Sequence, residues 1–451
     1  MVHYLLGAIT LLCFVASVLP FIPIAHGAIR VFDFGRLQIL TISFVTLASI
    51  GVFLSDDQYR YILVGMLFVS IFIELFHIIR FTPFWWQQSA RFDPEKHDPQ
   101  KQGRVPIFKM LVCNVKQSNK SHDKLIETIE DCDPDILILM ETDQLWVDAM
   151  AGVTERYDYK LSCPQDNSYG MYLASRLELT KGDIRFLLND SIPSFHCRFR
   201  FEGGDEFDLI AIHPDPPVPH RDTIGRDAEI LVAGKKARYR KRPLVVAGDL
   251  NDVAWSSTTR RFLRVSRLLD PRQGRGMFNS FDARYPFLRW PLDHIFHSEE
   301  FELVSIRRQP FMGSDHFPMY YELAYVSDHN NETPDSPSVM DLKETRSLIH
   351  TESKRERRPV GEDWALVWTE EELVADRVER VKSGWFGTVE RQIFALDPFA
   401  GQGADTGATR MERSLIMPER PYQALAERNP PGFRDVRKFV VSDRGRVLSY
   451  R

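Results

Sequence analysis

Three long apolar segments open the chain, before any regular alternation of polar and apolar residues begins. They run from Tyr4 to Ala25, from Leu37 to Leu54 and from Tyr61 to Ile79, and their only acidic or basic side chains are Glu74 and His77. A helix of about 20 residues rises about 30 Å, which matches the hydrocarbon core of a membrane. A cleaved signal peptide is the alternative for the first segment, but no Lys or Arg precedes it and two more apolar segments follow. The pattern predicts a three-helix transmembrane anchor over residues 1–85.

The ends of these segments carry weaker signals. Trp85 and Trp86 follow the third segment, where an aromatic belt meets the membrane surface. Glu74 and His77 lie three residues apart on one helix face, so they either reach the interface from the helix end or mark a path for a proton or ligand. The flanking basic residues favour a cytoplasmic position for the following domain by only a few charges, which leaves the side of the membrane open.

Short apolar runs of strand length alternate with helical patterns from residue 104 to residue 326, after a polar linker at 86–103. This alternation predicts an α/β domain, and functional sites in layered α/β proteins form where strands end. The runs end at, or are followed by, side chains with oxygen, amide or imidazole groups. These polar residues are Asn114, Glu141, His213, Asp249, Asn251, Asp293, Asp315 and His316.

A site at this edge would bring together up to four carboxylates, which repel one another unless a cation joins them. Oxygen and amide ligands without a thiolate favour Mg²⁺, Mn²⁺ or Ca²⁺ over zinc. The alternative is that each polar residue is an independent cap or turn residue, as the segment from Gly248 to Asn251 alone could be. The ordered recurrence along the chain favours a shared site.

Composition narrows the function classes only slightly. The 57 basic and 62 acidic side chains give a net charge of −5, so the chain as a whole is not a bulk polyanion-binding protein, although a local basic cleft stays compatible with it. Five cysteines lie without CxxC spacing, which argues against a structural zinc site or a disulfide framework and leaves one bond between Cys163 and Cys197 open.

The pattern changes again after residue 326. Residues 327–360 are polar and highly charged, which predicts a disordered linker. Residues 361–451 are predicted to form a small C-terminal region whose role stays open. Within it, Trp364 to Phe386 has helical spacing, and Lys438 to Arg451 alternates like a β-hairpin around Asp443-Arg-Gly445.

Six blocks between Arg104 and Tyr325 resemble, in order, the signatures of the endonuclease/exonuclease/phosphatase superfamily. The blocks are Cys-Asn114-Val, Leu-Met-Glu141-Thr-Asp, Ile-His213-Pro, Val-Ala-Gly-Asp249-Leu-Asn251, Pro-Leu-Asp293-His-Ile-Phe and Gly-Ser-Asp315-His316. The segments around Glu141, His213 and Trp255 are similar to the bacterial membrane-bound branch. The resemblance implies a four-layer α/β sandwich, with two packed β-sheets flanked by helices and, in this chain, preceded by three transmembrane helices.

The resemblance also implies a role for each residue of the blocks. Asn114 and Glu141 would bind a metal with Asp315 near it, and Asp249 would orient or deprotonate the attacking water. Asn251 and His213 would contact the phosphate, His316 would stabilise the phosphoryl group, and Asp293 would orient His316. Four arginines near the blocks either hold a second phosphate or are ordinary solvated residues, and Arg289 is the one assigned to substrate. The four are Arg221, Arg226, Arg284 and Arg289.

The blocks and the apolar segments together predict a membrane-anchored, metal-dependent phosphodiesterase or phosphatase that uses Mg²⁺ or Mn²⁺. The favoured substrate is a lipid-linked phosphate ester, because tethering keeps the site close to such molecules. A metal-dependent endo- or exonuclease is the alternative enzyme, although no insertion rich in arginine or aromatic residues indicates nucleic acid. A catalytically inactive binding or scaffold protein of the same fold is the alternative from another class. The predicted location is a bacterial plasma (inner) membrane, and no protein partner is indicated.

Overall fold

The apolar segments at the start of the chain form helices, and the alternating region forms two β-sheets. The computed structural model describes residues 2–54, 58–96, 105–326, 331, 334, 336–355, 359–360, 440–442 and 447–448. Contacts divide the chain into one unit, made of Met1–Gly361 and Val436–Arg451, and a second unit, Glu362–Asp435, which lies outside the described residues. The helical pattern predicted for Trp364 to Phe386 also lies there.

Three helices are long and apolar enough to cross a membrane, as the sequence predicts. These spans are Val2–Phe21, Arg36–Phe53 and Gln58–Phe81. The helices within them are α1 (Val2–Val18), α3 (Arg36–Phe53) and α4 (Gln58–Ile78), and short 3₁₀ turns extend the first and third spans. All three pack around one shared apolar cluster.

A short helix that the sequence did not indicate, α2 (Gly27–Phe34), joins the first two spans to the α/β region. The backbone N–H of Gly27 donates to the Arg221 carbonyl oxygen at 2.8 Å, and the Trp255 indole donates to the Asp33 carbonyl oxygen at 2.7 Å. A Cβ at position 27 would lie 1.9 Å from the Val218 carbonyl oxygen, so this close approach needs glycine.

The first sheet has the strand order β10-β11-β1-β2-β4-β3-β12-β13. Its strands are β1 (Ile107–Asn114), β2 (Ile136–Met140), β3 (Tyr159–Cys163), β4 (Met171–Ser175), β10 (Phe301–Arg308), β11 (Met319–Tyr325), β12 (Val440–Ser442) and β13 (Val447–Leu448). β12 pairs antiparallel with β13, which confirms the two strands of the predicted C-terminal hairpin. The turn between them, 443–446, lies outside the described residues.

The second sheet has the order β5-β6-β7-β8-β9. Its strands are β5 (Glu178–Phe186), β6 (Pro193–Arg200), β7 (Glu206–Ile212), β8 (Leu244–Asp249) and β9 (Asp293–His297). Helices flank both sheets, so the predicted α/β fold with two packed sheets is confirmed. The flanking helices are α5 (His122–Cys132), α6 (Gln144–Ala149), α7 (Ile224–Arg238) and α8 (Ser257–Ser266).

The alternation of side chains along each strand divides the core into layers. In β1, Phe108, Met110 and Val112 face the second sheet, whereas Leu111 and Cys113 pack against the cluster that includes residues of α5 and α6. This period of two is what a strand buried on both faces requires. The two sheets are therefore held together by a continuous apolar layer.

Two segments predicted as linkers are more ordered than expected. Within 327–360, Val339–Glu352 forms helix α9, which opens with a capping box between Ser338 and Asp341, so the prediction of disorder is wrong there. Asp341 also pairs with Arg264, and this tertiary contact offsets the polar composition that indicated disorder. Within 86–103, Phe92 donates its backbone N–H to the Leu303 carbonyl oxygen at 2.9 Å.

We expect Phe207→Ala to lower the free energy of unfolding by about 3–5 kcal/mol, because it empties the centre of the layer between the sheets. The Phe207 side chain is fully buried, and its ring centroid lies 4.8 Å from that of Phe108. Phe287→Ala is the matched control, because Phe287 is 86% exposed and its loss should change stability by no more than about 0.5 kcal/mol. Denaturant unfolding of the full chain in detergent measures both, and equal midpoints would contradict this description of the core.

Candidate active site

The strand registers bring the polar ends of both sheets to one place. β1 and β2 are parallel, with Asn114 opposite Met140. Glu141 is the next residue, so it lies just beyond the end of β2. β7 and β8 are also parallel, with Ala211 opposite Ala247, so His213 and Asp249 follow two residues later at the same edge.

β9 runs antiparallel to β8 and places Asp293 directly opposite Asp249. Residues far apart along the chain therefore meet because strands of two sheets end at the same side.

The Asn114 side chain joins the two sheets at this edge. Its Nδ2 donates to Glu141 Oε1 at 2.8 Å and to Asp249 Oδ2 at 3.0 Å. Glu141 follows the first sheet and Asp249 ends a strand of the second. Burial raises the pKa of Glu141 to about 7, although the hydrogen bond from Asn114 acts in the opposite direction. Burial also raises the pKa of Asp249.

Three residues at the site have unusual backbone conformations. Glu141 has φ of 60° and Asn251 has φ of 51°, a region that non-glycine residues rarely adopt. Gly248 has φ of 141°, and a Cβ there would lie 2.0 Å from the Ile212 carbonyl oxygen. The glycine before Asp249 is thus required by the close pairing of β7 and β8.

His316 and Asp293 form a buried pair beside Asp249. The two atoms His316 Nδ1 and Asp293 Oδ2 are 2.7 Å apart, and His316 Nε2 lies 3.4 Å from Asp249 Oδ2. Burial favours the neutral imidazole, but the charges of Asp293 and Asp249 outweigh it and raise the pKa of His316 to about 10. His316 is therefore an imidazolium that can donate a hydrogen bond through Nε2.

His213 approaches the same carboxylate from the other side. Its Nε2 lies 3.8 Å from Asp249 Oδ2, and its ring packs 5.6 Å from the ring of Tyr169. Burial lowers the pKa of His213, although Asp249 acts in the opposite direction. The two histidines thus differ in charge: His213 is neutral and His316 is positive.

Asn251 is held by its surroundings. Its backbone N–H donates to Asp249 Oδ1 at 2.9 Å, and its Nδ2 donates to the Pro214 carbonyl oxygen at 3.0 Å. Arg226, one of the arginines considered for a second phosphate, is buried and donates to the Asn251 carbonyl oxygen at 2.9 Å. It also pairs with Asp227, so Arg226 supports the loop and is not placed to bind a phosphate.

Asp315, predicted to lie near a metal, has basic neighbours that the sequence analysis did not assign. Lys116 Nζ is 2.6 Å from Asp315 Oδ2, and Arg284 Nη2 is 3.7 Å from the same oxygen. Lys116 stands two residues after Asn114, and this position directly after the first block is the signal that could have identified it. The structure brings these cations to the edge of the cluster.

Arg289, predicted to contact substrate, lies on the wall next to His316. Its guanidinium group is 4.9 Å from the centre of the Phe317 ring, and it donates to the Ala283 carbonyl oxygen at 3.3 Å. Arg289 is half-buried, and its role in binding substrate stays a prediction.

The sequence analysis also did not name Tyr169 and Asp215 as residues of the site. The Tyr169 hydroxyl lies 2.7 Å from Asp215 Oδ1 and 2.6 Å from the Val360 carbonyl oxygen. Burial raises the pKa of Tyr169, so the hydroxyl stays protonated. Asp215 follows His213-Pro directly, and it holds the tyrosine ring against His213.

The donor set fits a hard divalent cation. The half-buried Glu141 and the buried Asp249 both accept from the same amide, and removal from water, which raises the pKa values of both carboxylates, is a cost that a bound cation would offset. Asn114 donates from Nδ2 to both carboxylates. To bind a cation between these carboxylates, it would have to turn its Oδ1 toward them instead. Oxygen ligands of this kind suit Mg²⁺ or Mn²⁺.

A second grouping, Asp249, Asp293 and His316, has ligand atoms within 4.8 Å of one another. The hydrogen bond between His316 and Asp293 and the positive charge on His316 argue against this set as the primary metal site, because a protonated imidazole has no free lone pair. We interpret this set as a proton-holding and hydrogen-bonding group.

Comparison with known proteins identifies the family of this segment. Residues 111–329 match the Endonuclease/Exonuclease/phosphatase family, which confirms the resemblance seen in the sequence blocks. Members of this family hydrolyse phosphate esters and are generally dependent on divalent metals. No curated protein sequence matches the chain.

Solved structures with a similar fold cover about half of this chain. A mannosyl-6-phosphatase of Bacteroides thetaiotaomicron is 18% identical, with 48% of this chain and 100% of that chain covered and a TM-score of 0.40. D. rerio TDP2 complexed with single strand DNA product is 15% identical, with 48% and 98% covered and a TM-score of 0.41. The human Nocturnin catalytic domain with bound sulfate anion is 17% identical, with 51% and 100% covered and a TM-score of 0.41.

Replacing Asp293 by Asn should lower the pKa of His316 from its value of about 10, because the neutral amide no longer stabilises the imidazolium. Hydrolysis of an aryl phosphodiester should fall by about 100-fold or more, because His316 loses both its charge and its orientation. Histidine side-chain NMR, assigned with His316→Ala, measures the pKa. Asp208→Asn is the control, since Asp208 pairs with Arg198 away from this cluster. An unchanged pKa of His316 in Asp293→Asn would refute the pairing.

Proposed function

Starting from the match of residues 111–329 to the Endonuclease/Exonuclease/phosphatase family, we propose that the chain hydrolyses phosphate esters carried by membrane lipids. In this proposal Asp249, His213 and His316 act on a phosphate that is presented at the membrane surface. The observation that carries the proposal is a loop, 282–290, that runs from the catalytic cluster to the second membrane span.

One end of this loop touches the cluster. The Ala283 backbone N–H donates to the Asp315 carbonyl oxygen at 2.7 Å, and Arg284 lies near the Asp315 carboxylate. The Phe281 ring, just before the loop, lies 4.9 Å from the His316 ring. A change in the position of the loop would therefore move groups that border the active site.

The far side of the loop touches the membrane helices. The Gln38 side chain, in the first turn of α3, donates to the Phe287 carbonyl oxygen at 2.9 Å. Trp290 packs with its ring centroid 5.8 Å from that of Phe34, in α2. These contacts support a position for the loop at the level where the second span leaves the bilayer.

The tip of the loop exposes apolar side chains. Phe287 is 86% exposed, Tyr285 is 53% exposed and Leu288 is 45% exposed. Isolated apolar residues on a surface are common, but three in one loop beside a membrane span suit insertion among lipid headgroups and acyl chains. Arg289 flanks the tip and suits the phosphates of the headgroups, whereas Arg284 is paired with Asp282.

The cluster suits water attack on phosphorus. Asp249 has a raised pKa and can take a proton from water, while Asn251 is positioned beside it. His316, held by Asp293, and His213 are placed to donate hydrogen bonds to phosphoryl oxygens as charge grows on them. The bond from phosphorus to the alcohol oxygen then breaks, and the departing alkoxide takes a proton from solvent.

The family and the donor set also support a divalent cation. Glu141 and Asn114 would hold Mg²⁺ or Mn²⁺, with Asp315 beside them, and the ion would supply positive charge for the phosphoryl oxygens. Lys116, which pairs with Asp315 at 2.6 Å, adds a fixed positive charge at the same edge.

The substrate test compares lipid and soluble esters on the full chain in vesicles with Mg²⁺. We expect release of phosphate or alcohol from short-chain phosphatidic acid or phosphatidylglycerol, and much slower turnover of glycerol phosphate. Asp249→Ala or a chelator should abolish turnover. Cleavage of plasmid DNA without cleavage of either lipid would reject the proposal in favour of the nuclease.

The loop test separates membrane docking from chemistry. We expect Phe287→Ser to raise KM for vesicle substrate roughly tenfold or more, since fully burying a phenylalanine is worth about 1.5–3 kcal/mol. Turnover of a soluble aryl phosphodiester should not change. Tyr239→Ser is the matched control, because Tyr239 is an exposed aromatic residue just after α7. Equal KM values for the two variants on vesicles would count against docking through the loop.

A further inference from the structure

A second cavity lies where the third membrane span meets the α/β region. It has a volume of about 700 Å³, and its walls include Arg80, Trp85, Trp255, Arg260, Arg264 and Gln273, which we name the arginine pocket. Arg80 and Trp85 come from the end of the third span and the turn after it, whereas Arg260 and Arg264 come from α8. None of the residues assigned to catalysis or metal binding above lines this cavity.

Three guanidinium groups converge on the arginine pocket with little negative charge to balance them. Arg264 pairs with Asp341 at 2.7 Å. Among the residues that the structure describes, no carboxylate lies within 4.0 Å of the other two guanidinium groups. Arg260 donates to the Ser256 carbonyl oxygen at 3.3 Å, and Arg80 lies 5.7 Å from the centre of the Trp85 ring.

The crowding of these cations has an electrostatic signature. Burial, together with the nearby charges of Arg36 and Arg80, lowers the pKa of Arg260 to about 10, although Asp33 acts in the opposite direction. Positive groups that are partly removed from water and face one another raise the energy of the folded state. An anion between them would turn this repulsion into attraction, and arginine is the side chain best suited to phosphate oxygens.

The neutral walls also fit a phosphate group near a membrane. Gln87, Gln88 and Gln273 supply amide donors, and Trp255 supplies a flat apolar side. Trp86, stacked on Trp85 with ring centroids 3.8 Å apart, is 68% exposed next to the end of the span. Exposed tryptophans at such a position suit the headgroup level of a bilayer.

We propose that the arginine pocket binds a phosphate group, from an anionic phospholipid headgroup or from free phosphate, and so ties the third membrane span to α8. The bound group bridges Arg80 on the span and Arg260 on the α/β region. The site is separate from the active site and does not depend on the reaction assigned to it.

Thermal unfolding of the full chain in detergent tests this, with Asp249→Ala as the common background so that no lipid is consumed. Dihexanoyl phosphatidic acid is one ligand and inorganic phosphate is the other, each compared with chloride at equal ionic strength. Arg260→Gln and Arg80→Gln remove pocket cations. Arg346→Gln is the control, since Arg346 is exposed on α9 outside the pocket.

In the control, a ligand at about 100 times its Kd should raise the unfolding temperature by roughly 3 °C. Most of this rise should be lost in both pocket variants, and Arg260→Lys should keep part of it. Without ligand, Arg260→Gln should unfold no earlier than the control, because it relieves repulsion; a purely structural arginine would lower the unfolding temperature instead. Any response common to all variants belongs to the active site or the detergent.

The two ligands distinguish the sources of phosphate. A larger effect of the lipid at equal concentration assigns the pocket to headgroups, and an equal effect assigns it to free phosphate. Full retention of the rise in both Arg260→Gln and Arg80→Gln would overturn the proposal. If one of these variants does not fold, the other decides, together with the phosphorus that co-purifies with the unsubstituted chain.

Discussion

The two hydrogen bonds from the Asn114 amide are the interaction on which the candidate site depends. They connect Glu141 of one sheet with Asp249 of the other, at 2.8 and 3.0 Å. The half-buried Glu141 and the buried Asp249 would otherwise repel each other where the two sheets meet. The apolar layer behind them brings the strand ends together. The Asn114 amide and the His316 imidazolium then reduce the electrostatic repulsion between the two carboxylates. Every assigned role follows from this convergence.

The membrane helices belong to the support of the site. Phe34 of α2 packs against Trp290, Trp290 stacks with Phe281, and Phe281 packs against His316. A series of aromatic contacts thus runs from α2, between the first two apolar spans, to His316. In the proposed function, this arrangement gives three spans a second role: they would fix how the site faces the bilayer, in addition to keeping it near.

The charged residues within the anchor fit this view. Glu74 accepts from Arg36 at 2.9 Å, and Arg36 also pairs with Asp33, so the ionisable residue noted within the third span joins a buried ion cluster. The cluster sits at the ends of α3 and α4 that face the α/β region. The sequence analysis considered two roles for Glu74: a side chain that reaches the membrane interface, or part of a path for a proton or ligand. Neither alternative included Arg36 as a partner, because Arg36 and Glu74 are distant along the chain.

The sequence by itself determined the three apolar helices and the strands that end at polar residues of the site, because the spacing of apolar side chains and the length of each run are local properties. Six short blocks in order also identified the family. Only the tertiary structure decided that Lys116 pairs with Asp315, that Arg226 supports Asn251, and that the 339–352 segment is a helix held through Asp341 and Arg264. It also decided where loop 282–290 and the arginine pocket lie against the spans. These features depend on contacts between residues far apart in the chain, whose energies come from burial and charge in three dimensions, and no local pattern records them.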